Sequence, residues 1–123
     1  MIHEAGENYL ESIYILSQRQ GGVVRAAGIC AYLGYSRPTV SAALKQFRQD
    51  GYAEVDEHNH ITLTEKGLAI AEKIYERHVV LSRMLMALGV DEKTALEDAC
   101  KIEHDLSDKT FQCIKAHYLQ NNT

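Results

Sequence analysis

The sequence has no apolar run long enough to span a bilayer, which excludes a helical integral membrane protein. Of its 123 residues, 46% are hydrophobic and 24% are charged, as in ordinary globular proteins. The first residues are acidic and lead directly into helical periodicity, so no signal peptide is visible and we expect a cytoplasmic protein. The 3 cysteines are odd in number and lack disulfide-like spacing, which indicates core thiols or a metal ligand.

Carboxylates are missing from one long stretch of the chain. Between Ser12 and Gln49 there is no Asp or Glu, and the cations of this stretch are Arg19, Arg25, Arg37, Lys45 and Arg48. Most acidic residues lie between Asp50 and Asp108, so the net charge of −4 hides a basic part followed by an acidic part. A basic part is suited to nucleic acid, although such stretches also arise by chance in short proteins.

Helical periodicity and glycine stops organise the first half of the sequence. The predicted helices are Glu4–Gln20, Arg25–Leu33 and a third that follows Ser36 and ends before Gly51. Between the last two, Gly34 is a C-terminal stop. Ser36 can cap the third helix, and Pro38 fits its first turn because no hydrogen-bond donor is needed there. The pattern predicts a helix-turn-helix.

The period changes from helical to alternating after Gly51. Residues 52–55 and 60–63 have strand-like patterns and are joined by a polar loop at 56–59, which predicts a short hairpin. A two-stranded hairpin after a helix-turn-helix is the wing of a winged-helix domain, and its tip lies near the DNA backbone. His58 and His60 fall in this hairpin, where solvated side chains are expected more often than a metal site.

Three further helices are predicted in the second half. Thr64 caps one that runs to about Leu88, Asp91 caps one that runs to about Leu106, and Ser107 caps the last. The inward stripe of the long helix is predicted to comprise Leu68, Ala71, Ile74, Tyr75, Leu81, Leu85 and Leu88. The predicted fold class is mostly α, with a winged helix-turn-helix domain at 1–66 and a helical domain at 67–123.

A helix-turn-helix presents to DNA the residues near the start of its third helix. Arg37 can pair with guanine or phosphate, and Ser41 can hydrogen-bond to a base or a phosphate. Pro38 and Thr39 can pack against thymine methyl groups. The predicted DNA-binding residues are Arg25, Ser36, Arg37, Pro38, Thr39, Ser41, Lys45 and Arg48. For any one of them, a solvated helix face is the alternative.

The densest group of chemically active side chains lies near the end of the helix predicted to run to Leu106. Cys100, Glu103 and His104 are spaced i, i+3 and i+4, so they share one helix face. Sulfur, carboxylate and imidazole together suit first-row divalent metals rather than calcium or magnesium. Taken alone, however, this spacing is more common for an interior thiol beside surface charges.

Two other helices offer further ligand atoms. His78 lies on the inward stripe of the long helix, where a satisfied core histidine is the more common finding. Asn8 and Glu11 are one turn apart in the first helix and carry oxygen atoms. An ion shared by these groups would link the DNA-reading half to the second half.

Five segments, in order over nearly the whole chain, carry a specific combination of motifs. They are Glu7–Tyr14, Ser36–Ser41, Ile61–Gly67, Arg77–His78 and Asp98–His104. Together they resemble the diphtheria-toxin-repressor family, which includes iron-dependent regulators and the manganese transport regulator. The resemblance implies a metal-dependent transcriptional repressor in the short two-domain form, not an enzyme. It also implies a homodimer that binds a palindromic operator and controls metal-uptake genes in iron or manganese homeostasis.

The resemblance also implies a ligand set and a metal. By position, the implied ligands are Asn8, Glu11, His78, Cys100, Glu103 and His104. Asn8 departs from the family pattern, in which the manganese branch has Asp and the iron branch Met, whereas Cys100 matches the iron branch. Ser82 and Leu96 depart from Glu and His of the family's second metal site. The implied metal is Fe²⁺ or Mn²⁺, with Zn²⁺, Co²⁺ or Ni²⁺ as substitutes.

The expected mechanism is a switch in which the metal fixes the first helix and thereby the spacing of two recognition helices across a dimer. Half-sites one helical turn apart require a spacing of about 34 Å. The main alternative is a metal-independent winged-helix regulator in which Asn8 marks a decayed site. A metallohydrolase with Glu103 or Glu11 as base is a third hypothesis, disfavoured because the candidate ligands crowd helices that a catalytic site would leave open.

Overall fold

Six helices and one hairpin make up the computed structural model, which describes residues 4–19 and 21–121. In chain order the elements are α1 (Glu4–Gln18), α2 (Ala26–Leu33), α3 (Arg37–Gln49), β1 (Ala53–Val55), β2 (Ile61–Leu63), α4 (Glu65–Ala87), α5 (Glu92–Ile102) and α6 (Asp108–Asn121). The predicted fold class, mostly helical with a two-stranded wing, is confirmed. Gln20, the predicted end of the first helix, lies outside the described residues.

The chain divides into two compact units, Met1–Glu72 and Lys73–Thr123. The first unit contains α1, α2, α3, the hairpin and the beginning of α4, and the second contains the rest of α4 with α5 and α6. The domain boundary between residues 66 and 67 stays a prediction. Within the described ranges, no helix is both long enough and apolar enough to cross a bilayer.

Short polar side chains begin four of the helices, as the sequence predicts. Each accepts a hydrogen bond from the amide three residues later, a group that the helix itself leaves without a partner. The pairs are Ser36 with Thr39, Thr64 with Gly67, Asp91 with Thr94 and Ser107 with Thr110, at 3.0 to 3.4 Å. The predicted starts of α3, α4, α5 and α6 are therefore confirmed.

The core of the first unit takes apolar side chains from every one of its elements. Its buried members are Tyr9, Leu10, Ile13, Val24, Ile29, Val40, Leu44, Phe47, Ala53, Ile61 and Ala71. Tyr9 and Phe47 pack edge to face, with 5.6 Å between their ring centroids. Because this core uses only one side of α3, the opposite side of that helix stays exposed.

The beginning of α4 is joined to the base of the hairpin. The amide of Thr64 donates to the Tyr52 carbonyl at 3.1 Å, and its hydroxyl donates to the Gly51 carbonyl at 2.6 Å. A Cβ atom at Gly67 would lie 2.0 Å from the Tyr52 carbonyl oxygen. Only glycine fits at this close approach, so the glycine at position 67 allows the beginning of α4 to pack directly against the hairpin.

In the second unit, α4 buries a set of residues that differs in part from the predicted stripe. Ile74 and Leu81 are buried, in agreement with the prediction. The prediction is wrong at Tyr75 and Leu88, which are 39% and 74% exposed. A hydrophobic period shows which side of a helix is apolar, but it does not distinguish a side packed within the chain from one that another molecule covers.

Candidate metal centre and nucleic-acid interface

A groove between α3 and the hairpin collects the cations of the first unit. Its volume is about 340 Å³, and it is lined by Arg25, Ala26, Ala27, Arg37, Ser41, Leu44, Lys45, Arg48, Val55, His58, Asn59 and Ile61. Of these described residues, four are Arg or Lys and none is Asp or Glu. A concave surface with charges of one sign strengthens the local potential, so this groove attracts a polyanion.

All eight predicted DNA-binding residues are exposed. The groove brings five of them together, namely Arg25, Arg37, Ser41, Lys45 and Arg48. Ser36, Pro38 and Thr39 lie at the beginning of α3, where the hydroxyl groups of Ser36 and Thr39 are 2.8 Å apart. Because the Ser36 hydroxyl also accepts from the Thr39 amide, it serves as the cap of α3.

The tip of the wing is held by Asp56. Its Oδ1 atom accepts hydrogen bonds from the amides of His58 and His60 at 2.8 and 2.9 Å. The bond from the His60 amide is the main reason why the pKa of Asp56 lies below its ordinary value. Asn59 adopts a left-handed φ of 63°, which short polar residues tolerate better than most. His58 and Asn59 therefore line the groove in a defined turn. They are not among the predicted DNA-binding residues, and only their position in the wing indicates that they lie in the groove.

Three predicted ligand residues meet in the second unit: His78 from α4, Cys100 from α5 and Glu103 just after α5. Each offers one ligand atom, and these atoms all lie within 4.8 Å of one another. The His78 Nδ1 atom is 2.9 Å from Glu103 Oε2 and 3.8 Å from the Cys100 sulfur. Metal–ligand bonds of about 2.0 to 2.3 Å place ligand atoms at comparable separations around one ion.

Glu103 is a buried carboxylate at the centre of this cluster. Its side chain is fully buried, and among the described residues its Oε1 atom has no hydrogen-bond partner. The same atom lies 3.4 Å from Nε2 of His104, whose side chain is only 2% exposed. A buried carboxylate oxygen without a hydrogen bond is unfavourable unless a cation neutralises it. The donor set of sulfur, carboxylate and imidazole therefore fits a first-row divalent metal.

Helix α5 ends earlier than the sequence predicts. It stops at Ile102, so Glu103 and His104 lie in the following turn and not inside a helix that continues to Leu106. Arg77 explains this difference, because its Nη1 atom donates to the carbonyls of Glu103 and Leu106 at 3.0 and 2.7 Å. Carbonyls at a helix end need such partners. Glu103 keeps helical φ and ψ of −58° and −26°, so its side chain retains the direction that the helical spacing predicts.

The other predicted ligands, Asn8 and Glu11, belong to α1 in the first unit. Asn8 is half-buried and Glu11 is buried. Their role as ligands stays a prediction. At the positions that depart from the family's second metal site, Ser82 donates its hydroxyl to the Val79 carbonyl and Leu96 is 38% exposed. A leucine offers no ligand atom, so this second position lacks one of its donors.

Comparison with known sequence families divides the chain into two matched segments. Residues 1–61 match the N-terminal DNA-binding domain of iron-dependent repressors. Residues 64–121 match the metal-binding and dimerisation domain of iron-dependent repressors. The first segment contains the cationic groove, and the second contains the cluster around Glu103.

Similar proteins are transcriptional regulators. An uncharacterized HTH-type transcriptional regulator of Methanocaldococcus jannaschii is 36% identical over 110 residues, which cover 89% of this chain and 88% of that protein. The transcriptional regulator MntR of Escherichia coli is 33% identical over 109 residues, which cover 89% of this chain and 70% of MntR.

Solved structures show the same fold. A manganese-dependent transcriptional repressor in complex with manganese matches 92% of this chain with a TM-score of 0.82 at 24% identity, a likeness of fold alone. The manganese regulator SloR matches 96% with a TM-score of 0.80 at 27% identity. The chain spans only 52% and 54% of these two chains.

The order of the two matched segments agrees with the order of the two sites. A cationic groove beside a capped helix comes first, and a metal-ligand cluster comes second. The chain belongs to the family of iron-dependent repressors, which are metal-dependent transcriptional regulators and not enzymes.

Proposed function

We propose that this protein is a metal-activated repressor that binds Fe²⁺ or Mn²⁺ and, as a homodimer, recognises a palindromic operator of metal-uptake genes. The observation that carries the proposal is the buried Glu103 carboxylate with His78, Cys100 and His104 around it. Such a group is unfavourable in a protein interior without a cation. A divalent ion supplies that charge.

The residues that would hold the metal are His78, Cys100, Glu103 and His104, with Asn8 and Glu11 as further predicted ligands. When bound, the ion supplies positive charge that thiolate, carboxylate and imidazole groups can share. The Cys100 thiolate favours Fe²⁺ over Mn²⁺, because softer ligands select later transition metals. The manganese regulators among the similar structures support Mn²⁺. Both ions therefore belong in the test.

The groove and the exposed side of α3 would bind duplex DNA. Arg25, Lys45 and Arg48 carry charges suited to phosphates, which fix the position of the protein on the duplex. Arg37 and Ser41 lie in the first turns of α3, the part of a recognition helix that reads base edges. In a dimer, half-sites about 34 Å apart would place both recognition helices on one side of the duplex.

The proposal is tested by selecting binding sites from random duplex DNA without metal and with Fe²⁺, Mn²⁺ or Zn²⁺. We expect enrichment of a palindrome only in the presence of a metal, and the most effective ion identifies the cofactor. Glu103→Gln should abolish the enrichment. Glu97→Gln, which changes an exposed carboxylate on α5, is the matched control. Equal enrichment with and without metal would show a metal-independent regulator instead.

A further inference from the structure

Arg77 is a buried cation at the junction of three parts of the second unit. Its side chain is 4% exposed, and its backbone directly precedes His78 on α4. Its Nη1 atom donates to the carbonyl oxygens of Glu103 and Leu106 at 3.0 and 2.7 Å. Its Nη2 atom donates to Oδ1 of Asp108 at 2.6 Å. One guanidinium thus joins α4 to the segment between α5 and α6.

The orientation of this guanidinium is fixed from several directions. Its central carbon lies 5.3 Å from the centroid of the buried Phe111 ring, so the ring supports it as well. Among the described residues, its Nε atom is buried without a hydrogen-bond partner. An unpaired donor is unfavourable in a protein interior. The guanidinium thus leaves this donor unpaired while both of its Nη atoms reach their acceptors.

We propose that Arg77 is a positioning residue for the metal centre, an inference that rests on the proposed function. It holds the main chain of Glu103, and its own main chain carries His78 as the next residue. A single side chain therefore fixes the relative position of two ligand residues that come from different elements. The 2.9 Å separation between His78 Nδ1 and Glu103 Oε2 depends on this link.

The link requires arginine and not merely a positive charge. A guanidinium directs several donors along fixed directions in one plane, whereas an ammonium is a compact charge on a flexible stem. Lys73 shows the difference, because its Nζ atom reaches the same Asp108 oxygen at 2.9 Å from a side chain that is 53% exposed. Lys73 therefore contacts the same carboxylate as Arg77 from the surface, which makes it the matched control.

The test compares Arg77→Lys with Lys73→Gln by titrating both full-length variants with Co²⁺. The affinity and the thiolate-to-cobalt absorption band of Cys100 are measured. We expect Arg77→Lys to bind Co²⁺ about 10- to 100-fold more weakly, the range typical when a residue that orients metal ligands is lost. Its absorption band should also shift, because the geometry at the ion changes. Lys73→Gln should behave like the wild type.

A second readout needs no metal. In the metal-free protein, amide hydrogen exchange across residues 103–107 should be faster in Arg77→Lys than in the wild type, and unchanged in Lys73→Gln. If Arg77→Lys does not fold, Asp108→Asn takes its place, because it removes the charge of one exposed acceptor and is expected to weaken Co²⁺ binding in the same direction.

The Co²⁺ titration distinguishes loss of the positioning role of Arg77 from absence of the metal centre. Wild-type affinity and an unshifted band in Arg77→Lys, or in Asp108→Asn where that variant is used, would overturn the role of Arg77 and leave the proposed function intact. A wild-type protein that binds no Co²⁺ would overturn the metal centre itself and the positioning role with it.

Discussion

Nη2 of Arg25 lies 3.0 Å from Nε2 of His60, which joins the N-terminal cap of α2 to the residue before β2. A guanidinium can only donate, so His60 accepts through Nε2 and carries its proton on Nδ1. That Nδ1 atom lies 3.6 Å from Oδ2 of Asp56. The Arg25 side chain is therefore oriented within the groove by the wing, and fewer of its torsions would remain to be ordered in the proposed contact with DNA.

Arg25→Ala should weaken binding to duplex DNA and reduce its dependence on salt. Loss of one phosphate contact lowers the slope of log K against log salt by about 0.9. The measurement is a fluorescence anisotropy titration at several salt concentrations. Lys93→Ala, which removes an exposed cation outside the groove lining, is the control. Identical slopes for the two variants would contradict a role of Arg25 in contacting DNA.

Cys100→Ser should abolish the near-ultraviolet thiolate-to-metal absorption of the Co²⁺ complex and weaken Co²⁺ binding, because a hydroxyl is a much poorer ligand than a thiolate. Spectroscopic titration measures both effects. Cys113→Ser is the matched control, since Cys113 is an exposed free thiol on α6. If the absorption survives in Cys100→Ser and disappears in Cys113→Ser, the assignment of the sulfur ligand is wrong.

Gly67→Ala should destabilise the protein, because its methyl group would lie 2.0 Å from the Tyr52 carbonyl oxygen. Overpacking of this kind costs about 1–3 kcal/mol. Gly28→Ala is the control, since the nearest heavy atom lies 3.9 Å from its new methyl group in a helix. That change should stabilise α2 by up to about 1 kcal/mol. Urea unfolding measures both, and equal stabilities would contradict the close approach.

Asp91 makes the stability of the protein depend on pH at the beginning of α5. The hydrogen bond from the Thr94 amide is the main reason why the pKa of Asp91 lies below its ordinary value of 3.8. A lowered folded-state pKa means that the carboxylate stabilises the fold above pH 3.8 and loses this effect as the pH falls through the lower value.

Asp91→Asn keeps a good cap but has no carboxylate to titrate. We therefore expect the difference in Tm between the wild type and Asp91→Asn to stay constant from neutral pH to about pH 5. Below about pH 4, the Tm of the wild type should fall relative to that of Asp91→Asn. Thermal unfolding over this range provides the measurement. A constant difference down to about pH 2 would contradict the lowered pKa.

The sequence predicts those features that depend on neighbouring residues. The caps at Ser36, Thr64, Asp91 and Ser107 are examples, because a cap bonds an amide three residues away. The acid-free stretch likewise predicts the cationic groove, since α3 supplies three of its four cations and Arg25, just before α2, supplies the fourth.

Local sequence patterns do not predict features that depend on residues far apart in the chain. The end of α5 at Ile102 depends on Arg77, which is far away in the chain, so the helical spacing overestimates the length of the helix. Likewise, the periodicity of α4 cannot show that Tyr75 stays exposed while Ile74 is buried. Only the placement of other elements decides such burial.

The wing and the beginning of α4 are closely packed and hydrogen-bonded to one another. Thr64 bonds two carbonyls at the start of the hairpin, and Gly67 lies directly against one of them. Lys66 adds a hydrogen bond to the Asp50 carbonyl, with its ammonium 4.4 Å from the Tyr52 ring centroid. The first turn of α4 and the hairpin are consequently held together by these bonds, so a displacement of this turn would also displace the wing.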